Sequence, residues 1–404
     1  MRWLFADDRK NHDPASFFAP WQRWDWWHYL HIAQDGYFPG GSGPWISEWD
    51  NREAFFPGFP YLLRAVHTIV PSWPAAGALI SFVAGGIAVL ALARIARLHL
   101  PPRGAGELPQ KNAGQLPQET GQLPQKNAGQ LPQETGQLPQ EGSAGHPAQG
   151  NAGHPAQENA GQRAALFFLL SPCAVFLAAG YTEALFLALA LPAWLAAQRL
   201  NWPLAAALTC LATTVRVSGL FLAAALAVHF LATARTAAHW RRLPWLALPA
   251  LPPLLYSWYL HTRTGDWMAW KHAEERGWYR GFHTPWEAWQ NTWHAAFGHS
   301  QSTGYALMSQ AELLTMLIGI GLCAVLIRQR RWPEAVYIAL TLWALGTSYW
   351  YTSIPRATLL WWPLWTGLAV WSLRRRHVRT AYLTVVAPLM TVFAVTFLSG
   401  RWAG

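Results

Sequence analysis

The chain has 404 residues, of which 52% are hydrophobic and 12% are charged. Soluble domains carry about 25% charged residues, so this composition excludes an ordinary soluble domain and indicates a multi-pass membrane protein. The net charge of +10 does not indicate nucleic-acid binding, because the basic residues stand in short loops between apolar runs. We therefore expect an all-α polytopic membrane protein with about 9–10 membrane segments and no nucleic-acid partner.

The first segment, residues 1–60, is predicted to be a loop, and its centre is the aromatic and acidic stretch WDWWHYLHIAQDGY that begins at Trp24. Asp25 and His28 are three residues apart in a stretch with helical spacing, so both side chains can lie on one face of a helix. Gly36 is expected to end that helix.

Residues 61–100 are predicted to hold the first membrane segments, a short interfacial helix and then a spanning helix from Ala75. The composition changes over residues 101–163, where KNAGQLPQETGQLPQ occurs at 111–125 and again at 126–140. Repeats of Gly, Pro, Gln and Asn lack the apolar side chains that form a core, so we predict a disordered loop without a catalytic role.

The rest of the chain is predicted to form membrane helices over 164–261, a loop over 262–308 and further membrane helices over 309–404. Individual spans are predicted at 164–180, 183–198, 203–232, 243–261, 310–327, 333–350, 357–373 and 380–399. The run over 203–232 exceeds the roughly 20 residues that cross a bilayer, so it is expected to break near Arg216.

The arginines between these runs set the predicted orientation, because cytoplasmic loops carry an excess of basic residues. The arginines assigned to the cytoplasm are Arg94, Arg97, Arg103, Arg199, Arg235, Arg241, Arg242, Arg328, Arg330, Arg331, Arg374, Arg375, Arg376 and Arg379. This count makes the repeat loop over 101–163 cytoplasmic. It places 1–60, a hairpin at Tyr181–Glu183, 262–308 and 351–356 on the opposite, extracytoplasmic side.

Several segments, in this order, resemble one known family. They are WDWWHYLHIAQDGY from Trp24, AFFPGFP at 54–60, SPCAVF at 171–176 with Tyr181–Glu183, TVRVSGL at 214–220, GDWMAW at 265–270 and SIPR at 353–356. Together they resemble the PIG-V-like mannosyltransferases, that is, the GPI mannosyltransferase 2 family and its bacterial relatives. The resemblance implies a GT-C-type fold and a catalytic acid in the first extracytoplasmic loop, which maps to Asp25. It also implies mannose transfer from a polyprenyl-phosphate-mannose donor to a glycan or glycolipid acceptor.

The resemblance further implies an integral membrane enzyme of a bacterial plasma membrane, with an extracytoplasmic active site. It implies a spanning helix before the first loop, whereas residues 1–23 contain no apolar run of that length. We therefore expect either a truncated start or an N-terminus that crosses unaided. The sequence does not identify a protein partner.

Asp25 is the predicted catalytic base, which takes the proton of the acceptor hydroxyl as that hydroxyl attacks the sugar. A lipid phosphate leaves without protonation, so one carboxylate can suffice where a glycosidase needs two. The alternative is that Asp25 caps the helix that starts there.

His28 either orients Asp25 or contacts the phosphate; its alternative is a stacked histidine. The other acids of the loop are Asp35, Glu48, Asp50 and Glu53. They are predicted to be solvated charges, although one could assist catalysis or hold a divalent cation. No residue spacing predicts a specific metal site.

Arg216 and Arg356 are the predicted ligands of the donor phosphate, because a guanidinium can form two hydrogen bonds to phosphate and an arginine within the membrane is costly without a partner. The alternative for Arg216 is a structural pair with Glu183, and for Arg356 it is snorkelling at the interface. Glu183 is itself a substrate-loop candidate, as is Glu53. Trp24 could stack on a sugar or belong to an interfacial belt, and Lys271 could contact the acceptor or lipid headgroups.

Two rival functions differ in what they require of the sequence. One keeps the carrier chemistry and changes the sugar. The other is a lipid or glycolipid transporter, which would show repeats between the two halves of the chain. The sequence shows no repeats outside 101–163.

Overall fold

Inside a bilayer every backbone N–H and C=O group needs a partner within the chain, so long apolar runs fold as helices. The computed structural model describes residues 17–40, 50–98 and 155–404, and every regular element in them is helical. The helices are α1 (Asp25–Asp35), α2 (Gly58–His67), α3 (Trp73–Leu98), α4 (Pro155–Leu169), α5 (Thr182–Gln198), α6 (Trp202–Val215), α7 (Ser218–Thr233), α8 (Ala237–Trp240), α9 (Leu251–Thr264), α10 (Ala269–Trp278), α11 (Pro285–Phe297), α12 (Thr303–Arg328), α13 (Trp332–Gly346), α14 (Ile354–Ala357), α15 (Trp362–Arg374) and α16 (Arg376–Leu398). Short 3₁₀ segments occur at Ala19–Trp21, Arg52–Ala54, Ala174–Leu177, Leu243–Ala250 and Thr358–Leu360.

Three of these helices, α3, α12 and α16, are long and apolar enough to cross a membrane. Shorter apolar helices are α5, α6 and α7. Helix α16 contains a π-helical turn over Tyr382–Val386. The prediction of an all-α polytopic membrane protein is confirmed, while the number of segments, their orientation and the domain divisions stay predictions.

Helix α4 differs from the prediction at both ends. It begins at Pro155, within the segment predicted to be disordered, and ends at Leu169 rather than spanning 164–180. The end has a local cause, since Pro172 lacks an N–H and disfavours helical geometry in the residue before it. Its start escaped the sequence pattern because residues 155–163 are polar. The rest of the predicted disordered loop lies outside the described residues.

Two other long apolar runs are divided. The run over 203–232 breaks as predicted, because Arg216 is extended between α6 and α7 with φ of −151°. The run over 243–261 was predicted as one span and is instead a 3₁₀ segment, Leu243–Ala250, followed by α9. Proline explains this difference, since Pro249 cannot donate the backbone hydrogen bond that a continuous α-helix requires there.

The core centres on α5, which packs between α3 and α6 and buries large side chains such as Phe186 and Trp194. Helix α1 is anchored to this core by Trp26, whose side chain is 1% exposed. A Cβ atom added at Gly77 would lie 2.5 Å from the Trp26 ring, and one at Gly180 would lie 2.8 Å from it. Two glycines therefore make room for the tryptophan that fixes the start of α1.

Arginines also connect helix ends. Arg163 donates to the backbone oxygen of Ser372 near the end of α15, at 2.6 Å, and Arg242 donates to that of Leu200 after α5, at 2.9 Å. Cationic side chains are favourable at these C-terminal ends, where carbonyl groups lack helical partners. These contacts join segments whose arginines predict a common, cytoplasmic side.

Candidate active site

The start of α1 directs Asp25 into the protein. Trp24 is the N-cap residue and has a left-handed φ of 50°, and Asp25 is the first helical residue. The Asp25 carboxylate accepts a hydrogen bond from Nη1 of Arg356 at 2.7 Å. The capping alternative is therefore wrong, because Asp25 is not the cap and its carboxylate pairs with an arginine. The helix ends at Asp35 before Gly36, as predicted, and Gly36 has a φ of 80°.

Arg356, on the short helix α14, joins two carboxylates. In addition to its bond to Asp25, its Nε donates to Oε1 of Glu183 at 2.6 Å. Its guanidinium carbon lies 4.8 Å from the ring centre of Phe176 and 4.7 Å from that of Tyr181. Interfacial snorkelling is therefore wrong for Arg356, since the residue is buried, doubly paired and held between aromatic rings.

Arg216 approaches the same carboxylate from the break between α6 and α7. Its Nη1 donates to Oε1 of Glu183 at 2.7 Å and to Oγ1 of Thr182 at 2.6 Å. The structural pair with Glu183 is thus present. Among the described residues, both hydrogen bonds of Arg216 come from Nη1, which leaves Nε and Nη2 able to donate to a ligand.

We call Asp25, Glu183, Arg216 and Arg356 the charge cluster; it contains two anions and two cations. Both arginines share Oε1 of Glu183, whose Oε2 is buried without a hydrogen-bond partner among the described residues. The side chain of Glu183 is 1% exposed, against 18% for Asp25. Asp25 is therefore the carboxylate of the cluster that a substrate can reach.

The surroundings of α1 set the charges of Asp25 and His28. Burial raises the pKa of Asp25, but the neighbouring positive charges, chiefly that of Arg356, together outweigh burial and the pKa lies below its usual value. Burial lowers the pKa of His28 in spite of the nearby Asp25. At neutral pH the pair is thus a carboxylate and a neutral imidazole. The His28 ring also stacks on Phe55, with centroids 4.7 Å apart, so the stacked-histidine alternative agrees with the geometry.

Three neighbouring cavities share Trp278 and Trp402, and two of them are also lined by Asp25. The cluster cavity, of about 160 Å³, is lined by Asp25, Arg216 and Arg356 together with apolar side chains. The mouth cavity, of about 480 Å³, is lined by both Asp25 and His28, which confirms that these residues share a face of α1. The aromatic cleft, of about 520 Å³, has His28 in its wall as well. Trp278 and Trp402 line all three cavities.

Comparison with known proteins gives one match, to a protein-family model. Residues 154–240 match the family model for mannosyltransferase (PIG-V). The match covers less than a quarter of the chain and supports a mannosyltransferase of the PIG-V-like family. No curated protein and no solved structure matches the chain. The matched segment contains Glu183 and Arg216, and the match favours mannosyl transfer over the transporter and over another sugar.

The predicted substrate-loop residues of this mannosyltransferase occupy different places. Trp24 is 41% exposed and lines the mouth cavity and the aromatic cleft. Glu53 is buried, and its backbone oxygen accepts from the Tyr256 hydroxyl at 2.9 Å. Lys271 forms a half-exposed ion pair with Glu275, one helical turn away on α10. Neither Glu53 nor Lys271 lines the three cavities.

The other acids of the first loop are less well placed than Asp25. Asp35 is exposed at the far end of α1. Asp50 lines the mouth cavity and pairs with Arg52 at 2.8 Å. Glu48 lies outside the described residues. Within the part of the chain that the structure describes, no three His, Cys, Asp or Glu side chains gather as a metal site, and a divalent cation stays a prediction.

One residue near the site was missed by the sequence reasoning. Glu312, on α12, accepts hydrogen bonds from the backbone N–H groups of Ser353 at 2.7 Å and Ile354 at 2.8 Å. It is 2% exposed and holds the left-handed turn at Ser353 (φ 67°) that leads into α14 and Arg356. We call this arrangement the Glu312 clamp. Its signal in the sequence is an acid inside a run that is otherwise apolar.

Trp278 and Trp402 were also missed. Trp278 ends α10, and Trp402 contacts the Trp24 ring edge-on at a centroid distance of 6.0 Å. Their place beside Asp25 depends on contacts between distant parts of the chain. The sequence contains 27 tryptophans, so composition alone could not single out these two.

Proposed function

We propose that the mannosyltransferase takes its sugar from a polyprenyl-phosphate-mannose donor and transfers it to a glycan or glycolipid acceptor on the extracytoplasmic face, with Asp25 as the base. The observation that carries this proposal is the charge cluster. It presents an ionised, reachable carboxylate 2.7 Å from Arg356, in one cavity with Arg216.

The donor phosphate is proposed to bind the two arginines. Nε and Nη2 of Arg216 and Nη2 of Arg356 make no hydrogen bond among the described residues, and guanidinium groups pair strongly with phosphate. The same groups would stabilise the charge that develops on the leaving phosphate. The cavity is also lined by Phe221, Leu345 and Leu360, apolar side chains that suit the first units of a polyprenyl chain.

The proposed reaction is a displacement at the anomeric carbon. The acceptor hydroxyl oxygen forms the new bond to that carbon, and its proton moves to the Asp25 carboxylate. The bond from the carbon to the phosphate oxygen breaks, and the phosphate keeps the electron pair. A phosphate bound to Arg356 would weaken the hold of that arginine on Asp25, which raises the pKa of the carboxyl toward a value suited to a base.

The proposed extracytoplasmic location of the site rests on the arginine pattern and on which segments of the chain contribute the residues of the charge cluster. Asp25, Glu183 and Arg356 come from three segments that the pattern assigns to one side. In a chain whose three native cysteines are replaced by alanine, Ser42→Cys should react with an impermeant maleimide in intact cells. Gln130→Cys should react only after permeabilisation. The opposite pattern would contradict the orientation while leaving the cluster chemistry untouched.

The chemistry is tested with purified chain in proteoliposomes, labelled polyprenyl-phosphate-mannose and a membrane lipid extract as acceptor. Asp25→Asn should reduce transfer by about 10²- to 10⁴-fold, because asparagine keeps the shape and loses the base. Donor binding should persist. The matched control is Asp35→Asn on the same helix, which should retain transfer. If Asp25→Asn stays within a few-fold of the unmodified chain, Asp25 is not the base, and Asp50 in the mouth cavity becomes the next candidate.

A further inference from the structure

The aromatic cleft shares Trp278 and Trp402 with the cluster cavity, but neither Arg216 nor Arg356 lines it. We propose that this cleft binds the neutral sugar end of the acceptor glycan and presents its hydroxyl to Asp25. The proposal rests on the proposed function, since it assigns the second substrate of the same site. Its volume of about 520 Å³ lies within the range of small-molecule sites, roughly 300–1,000 Å³.

The lining of the cleft is dominated by aromatic rings. Six of them are Trp24, Trp278, Tyr279, Tyr305, Trp350 and Trp402. A pyranose ring has a face of C–H groups that is apolar and weakly positive, and an aromatic face is apolar and weakly negative, so the two stack favourably. Tyr279 is 62% exposed and Tyr305 is 53% exposed, which leaves their rings accessible to a ligand.

The polar groups of the lining fit hydroxyl groups better than charged ones. Gln301, Ser309 and Thr352 supply neutral hydrogen-bond donors and acceptors, while Asn51 is buried and its Oδ1 accepts from Arg276 at 3.3 Å. The lining contains no lysine or arginine among the described residues, in contrast to the cluster cavity. The carboxylate of Glu312 is already bound to two backbone N–H groups. A neutral saccharide therefore matches the cleft, and a phosphate does not.

The cleft leads to the reactive carboxylate. Trp24 and His28 line both the cleft and the mouth cavity, and Asp25 lines the mouth cavity. A sugar in the cleft can thus extend a hydroxyl past His28 to Asp25. The donor would reach the same carboxylate from the cluster cavity, so the two substrates would meet at Asp25 from different cavities.

The first test is direct binding, by saturation-transfer NMR on the purified full chain in detergent, with methyl α-D-mannopyranoside, methyl β-D-glucopyranoside and maltose as probes. At least one neutral glycoside should bind. Tyr305→Ala should weaken its binding about five- to tenfold, the size expected for one stacking contact, and Tyr305→Phe should retain it. The control is Trp286→Ala, which removes a ring that is 66% exposed and lies outside the cleft. It should have no effect on binding.

The second test is kinetic and separates this inference from the proposed function. In the transfer assay, Tyr305→Ala should raise the KM for the acceptor and leave the KM for the donor unchanged. If Asp25→Asn is inactive but none of the glycosides binds, or Tyr305→Ala binds them normally, the cleft inference is overturned alone. A rise in donor KM with unchanged acceptor KM overturns it too. If Asp25→Asn is active while Tyr305→Ala loses glycoside binding, the base assignment fails and the sugar site stands.

Discussion

The charge cluster and the Glu312 clamp are two ways of burying a carboxylate among apolar helices. In the clamp, the two oxygens of Glu312 accept from two backbone N–H groups. In the cluster, two arginines meet at Glu183, and three of their N–H-bearing nitrogens make no bond among the described residues. The clamp is therefore complete without a ligand, whereas the cluster retains donors for an anion. By this difference, Glu312 is a structural carboxylate and Glu183 is part of a site that can bind a ligand.

The two regions are also connected. The clamp fixes Ser353 and Ile354 at the start of α14, and Arg356 follows two residues later on the same helix. The clamp thus sets where the guanidinium of Arg356 lies. Substitutions in the clamp should therefore change transfer only by displacing Arg356, whereas substitutions in the cluster should change it directly.

The largest effect is expected for Glu183→Gln. It removes the charge that both arginines share, and breaking a buried ion pair costs about 3–5 kcal/mol. Transfer should be lost, and Tm in thermal unfolding of the purified protein should fall clearly. The matched control is Glu275→Gln, which breaks the half-exposed pair with Lys271 and should cost about 0.5 kcal/mol or less. Equal Tm values for the two variants would contradict a structural role for Glu183.

A smaller effect is expected for Glu312→Gln. The amide keeps one acceptor oxygen, so one of the two bonds to Ser353 and Ile354 is lost, at a cost of about 1–3 kcal/mol. Transfer should fall because α14 and Arg356 are less well held, and donor binding should weaken with it. Full activity in this variant would show that the clamp does not position Arg356.

Arg216→Lys tests whether the charge cluster binds the phosphate of the donor. Lysine keeps the charge and the pair with Glu183 but loses the planar two-pronged contact with phosphate. The KM for the donor should rise about tenfold, equivalent to about 1.4 kcal/mol, and this rise should exceed the fall in kcat. Arg242→Lys, at a helix end, is the control. A lower Tm with unchanged donor KM would mean that Arg216 serves only the structural pair.

The smallest effect concerns pH. The pKa of Asp25 is lowered in the folded protein, so its pairing with Arg356 contributes stability above the unfolded pKa of about 3.9, and that contribution is lost as pH falls through the folded value. Asp25→Asn should therefore have a lower Tm than the unmodified chain at pH 7. The two Tm values should begin to converge below about pH 4 and should meet only once the pH is below the lowered, folded pKa of Asp25. A constant gap across this range would contradict the pairing.

Local chemistry decided much of the fold, and the sequence was sufficient for it. The apolar runs dictate helices because a bilayer offers no other partner for the backbone. Gly36 ends α1, and Arg216 marks the break between α6 and α7, as predicted. Where prolines or polar residues altered an apolar run, as in 243–261 and at the start of α4, the helix boundaries departed from the hydropathy pattern.

The sequence was sufficient to single out four site residues, because titratable side chains and arginines stand out against an apolar chain. These residues are Asp25, His28, Arg216 and Arg356. Their partners could not be singled out in this way. Asp25 and Arg356 are 331 residues apart, and whether Arg356 reaches a carboxylate or the interface depends on how α14 packs against α1 and α5. Tertiary packing alone also decided that Glu183 is buried between two arginines, that Glu53 and Lys271 lie away from the cavities, and that Trp278 and Trp402 flank Asp25. Side-chain type fixes what a residue can do, whereas burial and distance, which are set by contacts far apart in the chain, fix what it meets.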